Sequence, residues 1–292
     1  MILCGLAQGI PVIAQPKDGK TLLAEINGEL SRHPGTFAVA YKDAQTGESV
    51  FLREREIFHA ASTMKTPVMI ELFRQAHEGA FRLTDSILIK NQFSSIVDGS
   101  PYSLNIQDDS EPVLYTWVGQ KRPIRDVMYQ MIIASSNLAT NLLIEKVDAR
   151  NVTHTLRTLG AMDIEVRRGV EDSKAFAQGL NNTVTAFDLM ILFDQMARGR
   201  IIDKPTSEEM IAILKDQRFR EIIPAQLPPG VVVAHKTGSI RGVQHDSGIV
   251  ILPDERRYSV VILSKGLADE PAAIQSMARV SRLIYDYATR VR

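Results

Sequence analysis

The sequence predicts an α/β plus all-α fold: an antiparallel sheet assembled from both ends of the chain, with a mostly helical lobe beside it. Two observations lead there. β-rich runs lie near the two ends, at 37–52 and 231–263. Between them most segments carry apolar residues at helical spacing.

Taken in order, Leu22, Leu23, Ile26 and Leu30 give a helix within 18–34, which Pro34-Gly35 ends. Phe37 to Tyr41 and Ser49 to Leu52 flank Thr46-Gly47 and read as a hairpin. Thr63 to Gly79 is helical, with Val68, Met69, Leu72 and Phe73 on one side. The stretch from Lys90 to Glu111 is rich in Ser, Asn, Asp and Gly and reads as a long surface excursion. Ile124 to Val147 is an apolar helical run interrupted at Ser135-Ser136-Asn137. Further helices are expected over 150–160, 185–198 and 206–215, whereas 167–182 shows no period. Three β-rich runs follow, at 231–235, 248–252 and 258–263, and a helix over 272–291 closes the chain.

The 292 residues are 45% hydrophobic and 23% charged, enough for a sizeable core without disulfides or a structural metal. Lys plus Arg and Asp plus Glu are both 34. This balance removes the long-range attraction that dedicated nucleic-acid binding uses. The single cysteine, Cys4, excludes an intrachain disulfide, and the scattered histidines include no pair at metal-binding spacing. Met1 to Gln15 carries no charge and is too short to span a bilayer. It reads as a signal-peptide remnant or as a frayed arm. Residues 16–292 form one domain, with the sheet lobe from 16–60 and 225–292 and the helical lobe from 61–224.

Three short elements can carry chemistry. Ser62 and Lys65 are three apart at a helix start and share a face. A serine hydroxyl attacks only once something takes its proton. A lysine does so when burial and a second positive charge, here Lys236, lower its pKa. The helix N-terminus adds N–H groups toward developing negative charge. The plainer reading is an N-cap serine with a solvated lysine. Ser135-Ser136-Asn137 offers a hydroxyl for proton transfer and an amide for a substrate, or is a polar helix junction. Lys236-Thr237-Gly238, at the end of a strand, can place a cation and hydroxyls beside a carboxylate, or is an ordinary turn.

Together, in this order, the elements resemble the S-x-x-K, S-D-N and K-T-G set of class A serine β-lactamases and penicillin-binding proteins. The resemblance runs from about Thr36 to the last helix. It implies the β-lactamase/transpeptidase-like fold, a five-stranded antiparallel sheet flanked by helices. It implies Ser62 as acylated nucleophile, Lys65 as its base and Ser135 as proton donor to the leaving nitrogen. Lys236 and Thr237 would orient the substrate carboxylate, with Ser239 nearby and Gly238 between them. The N–H groups of Ser62 and Ser239 would form the oxyanion hole. Asn137 would contact the substrate amide, and Asn141 would brace the following loop.

The sequence departs from that family in three places. Ser136 replaces the aspartate of S-D-N, and an insertion is expected around Asn91 to Asp109. The loop that resembles R-x-E-x-x-L-N has Glu171 one position late, with no Leu-Asn in register. Asn181-Asn182-Thr183 closes it where an aspartate is usual. Glu171 is the candidate deacylation base and Asp172 the second; the alternative is two solvated acids. Tyr115, Trp117 and Arg241 are candidate cleft residues, each with a plainer structural reading. The implied enzyme is a periplasmic or secreted bacterial β-lactamase that opens the lactam through an acyl-enzyme. The alternatives are a D-alanyl-D-alanine carboxypeptidase or esterase, and a non-catalytic penicillin-binding module. The substrate is a small β-lactam or peptidoglycan-like peptide. No metal, nucleotide or flavin cofactor, nucleic acid or stable membrane span is implied, and the resembled family is usually monomeric.

Overall fold

The computed structural model describes residues 18–290; the uncharged N-terminal segment lies outside them. Helix α1 (Gly19–Leu30) begins where the Asp18 carboxylate accepts from the Thr21 N–H at 2.7 Å, and it buries Leu22, Ile26 and Leu30. Strands β1 (Thr36–Asp43) and β2 (Ser49–Leu52) form the expected hairpin. Asp43 turns it by accepting from the N–H groups of Gln45 and Thr46, both at 2.8 Å.

The sheet is completed from the other end by β3 (Val232–Ile240), β4 (Val243–Ile251) and β5 (Arg257–Lys265). All neighbours are antiparallel, in the order β2-β1-β5-β4-β3. The β1–β5 ladder runs from Thr36 opposite Lys265 to Asp43 opposite Tyr258. Side chains alternate across a strand, so two cores form. Phe37, Val39, Tyr41, Val260 and Ile262 pack with α1 and the last helix, α9 (Glu270–Ala288). Ala38, Ala40, Val261 and Leu263 join the larger core of the helical part. Burial on both faces explains why β1 and β5 read as nearly continuous apolar runs.

The helical part contains α2 (Lys65–His77), α3 (Ile124–Ile133), α4 (Asn137–Val147), α5 (Ala149–Thr158), α6 (Ser173–Ala177), α7 (Ala186–Ala197) and α8 (Lys204–Lys215). The polar interruption of the long apolar run is the junction between α3 and α4. There Ser136 caps α4 by accepting from the Ala139 N–H at 3.2 Å. Helix α7 joins the two parts, packing on the sheet through β1, β4 and β5 and on α8 within the larger core.

The last three strands are longer than their apolar runs. Lys236-Thr237-Gly238 lies inside β3, not at its end, because the ladder continues past it, with Gly238 opposite His245 and Ser239 opposite Gln244. Likewise β4 begins at Val243 and includes His245, Asp246 and Ser247, polar side chains that are all buried. Buried polar residues with internal partners break the hydrophobic pattern without breaking the strand.

Candidate active site

Ser62 lies in one turn of 3₁₀ helix, Ala61–Met64, that runs directly into α2 at Lys65. The residue before it, Ala61, has φ +45°, in the left-handed region that residues with a Cβ rarely adopt. Two imidazoles hold this turn. The Ala61 N–H donates to His59 Nδ1 at 3.0 Å, which leaves the His59 proton on Nε2. His245 Nε2 lies 2.9 Å from the His59 carbonyl and donates to it, while the Ser264 N–H donates to His245 Nδ1 at 3.1 Å. Burial pulls His245 down to about 4, and burial with the Arg168 charge lowers His59. Neither histidine is distinguishable by spacing in the sequence.

Lys65 and Lys236 are both fully buried, which is exceptional for lysine. Lys65 Nζ donates to the Ser135 carbonyl at 2.6 Å and to Asn137 Oδ1 at 3.0 Å, and lies 3.2 Å from Ser135 Oγ. Lys236 Nζ lies 3.0 Å from the same hydroxyl and donates to the Thr237 carbonyl at 2.9 Å. The Ser135 hydroxyl therefore sits between two amines. Its backbone is also left-handed, with φ +58°. Burial pulls Lys65 down to about 7, and the negative charges of Asp109 and Glu171 keep it from falling further. Burial, together with the charge of Lys65, holds Lys236 well below the ordinary lysine value, while Asp246 works against them.

Gly238 brings β3 against the Ser62 turn. A Cβ there would lie 3.0 Å from the Ser62 nitrogen and 3.1 Å from the Thr63 nitrogen. These are backbone atoms that cannot swing aside. Gly238→Ala is therefore expected to push the strand from the turn and slow labelling of the protein by a fluorescent penicillin by roughly 10-fold or more. Wild-type labelling by that variant would refute the tight approach.

The segment from Arg167 to Asn182 is an ordered loop. The Arg168 guanidinium ties it shut through the carbonyls of Leu180 (2.8 Å) and Gly169 (3.0 Å) and through Asn181 Oδ1 (2.9 Å). Asn182 Oδ1 accepts from the N–H groups of Arg167 and Arg168. Asn141, from α4, clasps Val170 from both sides: Oδ1 accepts its N–H at 2.6 Å, and Nδ2 donates to its carbonyl at 3.1 Å. A Cβ on Gly169 would sit 2.4 Å from Asn141 Oδ1. Gly169→Ala is expected to release this clasp and cost about 1–3 kcal/mol, read as a lower midpoint of thermal unfolding. An unchanged midpoint would show that the clasp does not hold the loop.

Glu171 is placed by this loop with φ +61°. Its Oε1 accepts from Asn137 Nδ2 at 2.7 Å, and the Asn105 backbone lies near enough to favour the charged carboxylate. Burial raises its pKa above the ordinary carboxyl value. Asp172, the second candidate, is held by other partners. It is 2% exposed and caps α6 by accepting from the Ala175 N–H, and it also accepts from Ser95 Oγ and the Ile96 N–H. Among the described residues, seven non-glycine residues have positive φ, and three of them are Ala61, Ser135 and Glu171. Such conformations cost of order 1–3 kcal/mol each and persist only where the surroundings impose them.

The expected insertion packs directly on this machinery. Besides Ser95, Ile96 and Asn105, it supplies Tyr102, whose hydroxyl donates to the Val170 carbonyl at 3.3 Å, and Asp98, which pairs with Lys174 at 2.7 Å. At its end Asp109, 7% exposed, reaches the start of α4. Its Oδ2 accepts from the N–H groups of Asn137 and Leu138, both at 2.9 Å, from Ser136 Oγ at 3.2 Å and from Tyr115 Oη at 3.1 Å. Sequence reasoning missed Asp109, since one aspartate in a Ser/Asn/Asp-rich stretch carries no pattern.

Two cavities of about 410 and 580 Å³ meet at Ser62, Asn137 and Ser239 and form one cleft. Ser135, Thr237 and Gly238 line the first, and Glu171, Arg168, Phe176 and Arg241 line the second. Of the predicted site residues, Ser62, Ser135, Asn137, Glu171, Thr237, Gly238 and Ser239 reach the cleft wall, while the two lysines and Asn141 are buried behind it. Arg241 lies on the Glu171 side, not beside Thr237. Tyr115 and Trp117 line neither cavity. Tyr115 is held on Asp109, and Trp117 packs under the Arg122 guanidinium.

A family profile described as the Beta-lactamase enzyme family matches residues 21–288. The chain belongs to this family. It is similar to the β-lactamase CARB-4 of Pseudomonas aeruginosa, 23% identical over 91% of this chain and 89% of that protein. Among solved structures, a β-lactamase from Sphaerobacter thermophilus superposes with a TM-score of 0.81 at 24% identity, covering 94% of this chain and all of that one. PBP-A superposes at 0.77, also at 24% identity, covering 91% of this chain and 94% of that one. The β-lactamase fold and enzyme class expected from the three motifs are those of this chain.

Proposed function

We propose that this β-lactamase-family enzyme opens the lactam amide through an ester on Ser62 and releases the product with a water activated by Glu171. The observation that carries the reading is the Ser135 hydroxyl set between two buried amines at 3.2 and 3.0 Å, in a cleft that Ser62 also lines. A neutral Lys65 takes the Ser62 proton as Oγ attacks the carbonyl carbon. The resulting oxyanion lies toward the N–H groups of Ser62 and Ser239. As the C–N bond breaks, the ring nitrogen takes the Ser135 proton, which the Lys65 ammonium replaces. The substrate carboxylate stabilises a charged Lys236, assisted by Thr237. Asn137 donates to or accepts from the substrate side-chain amide. Glu171 then takes a proton from water, the oxygen attacks the ester carbon, the bond to Ser62 Oγ breaks, and the proton held by Glu171 passes to that oxygen.

Ser62→Ala is expected to lose both nitrocefin turnover and the mass gain on exposure to penicillin. A variant that keeps either one ends this reading. Because Lys65 acts as the neutral amine, acylation should rise with pH through about 7. Stopped-flow acylation rates between pH 5 and 9 check this, and a flat profile would argue against Lys65 as base.

One observation favours slower release. Glu171 is already engaged by Asn137, with the Asn105 backbone nearby, and it sits one position late in its loop. On that second reading, a carboxypeptidase or esterase, the penicilloyl adduct persists and D-alanyl-D-alanine peptides are cleaved. Intact mass followed over time separates the two. A periplasmic or secreted location belongs to the same proposal, motivated by the uncharged Met1 to Gln15 segment and checked by cell fractionation.

A further inference from the structure

We propose that Asp109, reaching in from the insertion, is the positioning residue that holds the Ser135–Asn137 turn in its reactive geometry. The inference rests on the acyl-enzyme reading above. The first N–H groups of a helix have no partner within it. At the start of α4, Ser136 serves only the Ala139 N–H, and it does so as a neutral hydroxyl. The N–H groups of Asn137 and Leu138 are instead both taken by Asp109 Oδ2, which also accepts the Ser136 hydroxyl. A carboxylate thus stands at the position a charged residue at 136 would otherwise fill, delivered from 27 residues upstream. Its second oxygen accepts from the Glu111 N–H at 3.0 Å, so the group cannot turn away.

This anchor matters because both groups flanking it face the chemistry. Ser135, on one side, carries the hydroxyl between the lysines and is held with φ +58°. Asn137, on the other, joins Lys65 at 3.0 Å to Glu171 at 2.7 Å. Releasing the turn therefore loosens the proton donor, the amide contact and the candidate deacylation carboxylate together. Asp109 also acts through space. The charges that act on Lys65 are those of Asp109 and Glu171, and both favour its ammonium form.

Four proteins test the proposal: wild type, Asp109→Asn, Ser136→Asp and the double variant. Each is followed by penicillin acylation rate against pH and by thermal unfolding. Asp109→Asn should slow acylation roughly 10- to 100-fold by removing charge-assisted hydrogen bonds. The remaining activity should have its acid limb at lower pH, because Lys65 loses a stabilising negative charge. Ser136→Asp alone should also be impaired, since it sets two buried carboxylates against each other. The double variant, with one carboxylate again at the helix start, should recover most of the rate and the original acid limb. Two defective single variants and a restored double are the expected result.

Asp109→Asn at wild-type rate, or a double variant no faster than Asp109→Asn, would overturn the proposal, as would an unmoved acid limb. If wild type itself takes up no adduct, it is the nucleophile assignment that fails. The Asp109 anchor is then read from the unfolding midpoint, which Asp109→Asn must lower and the added Ser136→Asp must restore.

Discussion

Glu171→Gln is expected to leave the first half of the reaction intact and nearly stop the second. The Ser62 turn, both lysines and Ser135 do not depend on the Glu171 charge for their hydrogen bonds. Penicillin should therefore add to the variant at close to the wild-type rate. Release of the adduct should slow by roughly 10²–10⁴-fold, the usual worth of a positioned general base. Intact-mass spectra taken from seconds to hours would show a persistent adduct in the variant and a transient one in wild type. Glutamine retains an oxygen for the Asn137 Nδ2 bond at 2.7 Å, so the change removes charge with little disturbance of the loop. If adduct lifetimes in variant and wild type are equal, Glu171 is not the base, and the slow-release reading gains. The raised pKa of Glu171 adds a pH signature. Deacylation should fail on acidification at a higher pH than an ordinary carboxylate would give.

Lys65 variants should show the complementary defect. Lys65→Met keeps a long buried side chain but removes the amine, and acylation should fall by roughly 10²–10⁴-fold. Lys65→Arg is the more informative change. A guanidinium preserves positive charge and several donors, yet it does not release a proton near neutrality. If Lys65 serves only to hold Ser135 and Asn137, arginine should retain much of the activity. If it is the base, arginine should be as slow as methionine, and the rise of acylation through about pH 7 should vanish. Substantial acylation by Lys65→Arg would assign proton removal to another group.

The sequence exposes the sheet because its two central strands are covered on both sides. Val39, Tyr41, Val260 and Ile262 face one core while Ala38, Ala40, Val261 and Leu263 face the other, which leaves unmistakable apolar runs. The same logic hides the polar parts of β3 and β4. Asp246 and Ser247 are fully buried, one against the His235 imidazole and the other donating to the Lys236 carbonyl, so a hydropathy pattern reads them as a break. The junction at Ser135-Ser136-Asn137 is legible because Ser136 is a normal N-cap within an apolar run. What the sequence does not reveal are contacts made at long separation by residues of common type. Asp109 reaches α4, and His245 reaches the His59 carbonyl 186 residues away. Asp172 shows the converse: an acid beside the candidate base that capping and side-chain bonds fully occupy.

The excursion that carries Ser95, Tyr102, Asn105 and Asp109 touches the loop of Glu171 at one end and the start of α4 at the other. Engineering that grafts either partner alone from a relative into this scaffold will produce a mismatched pair. A functional chimera requires transplanting residues 91–111 together with 167–182, as a single cassette.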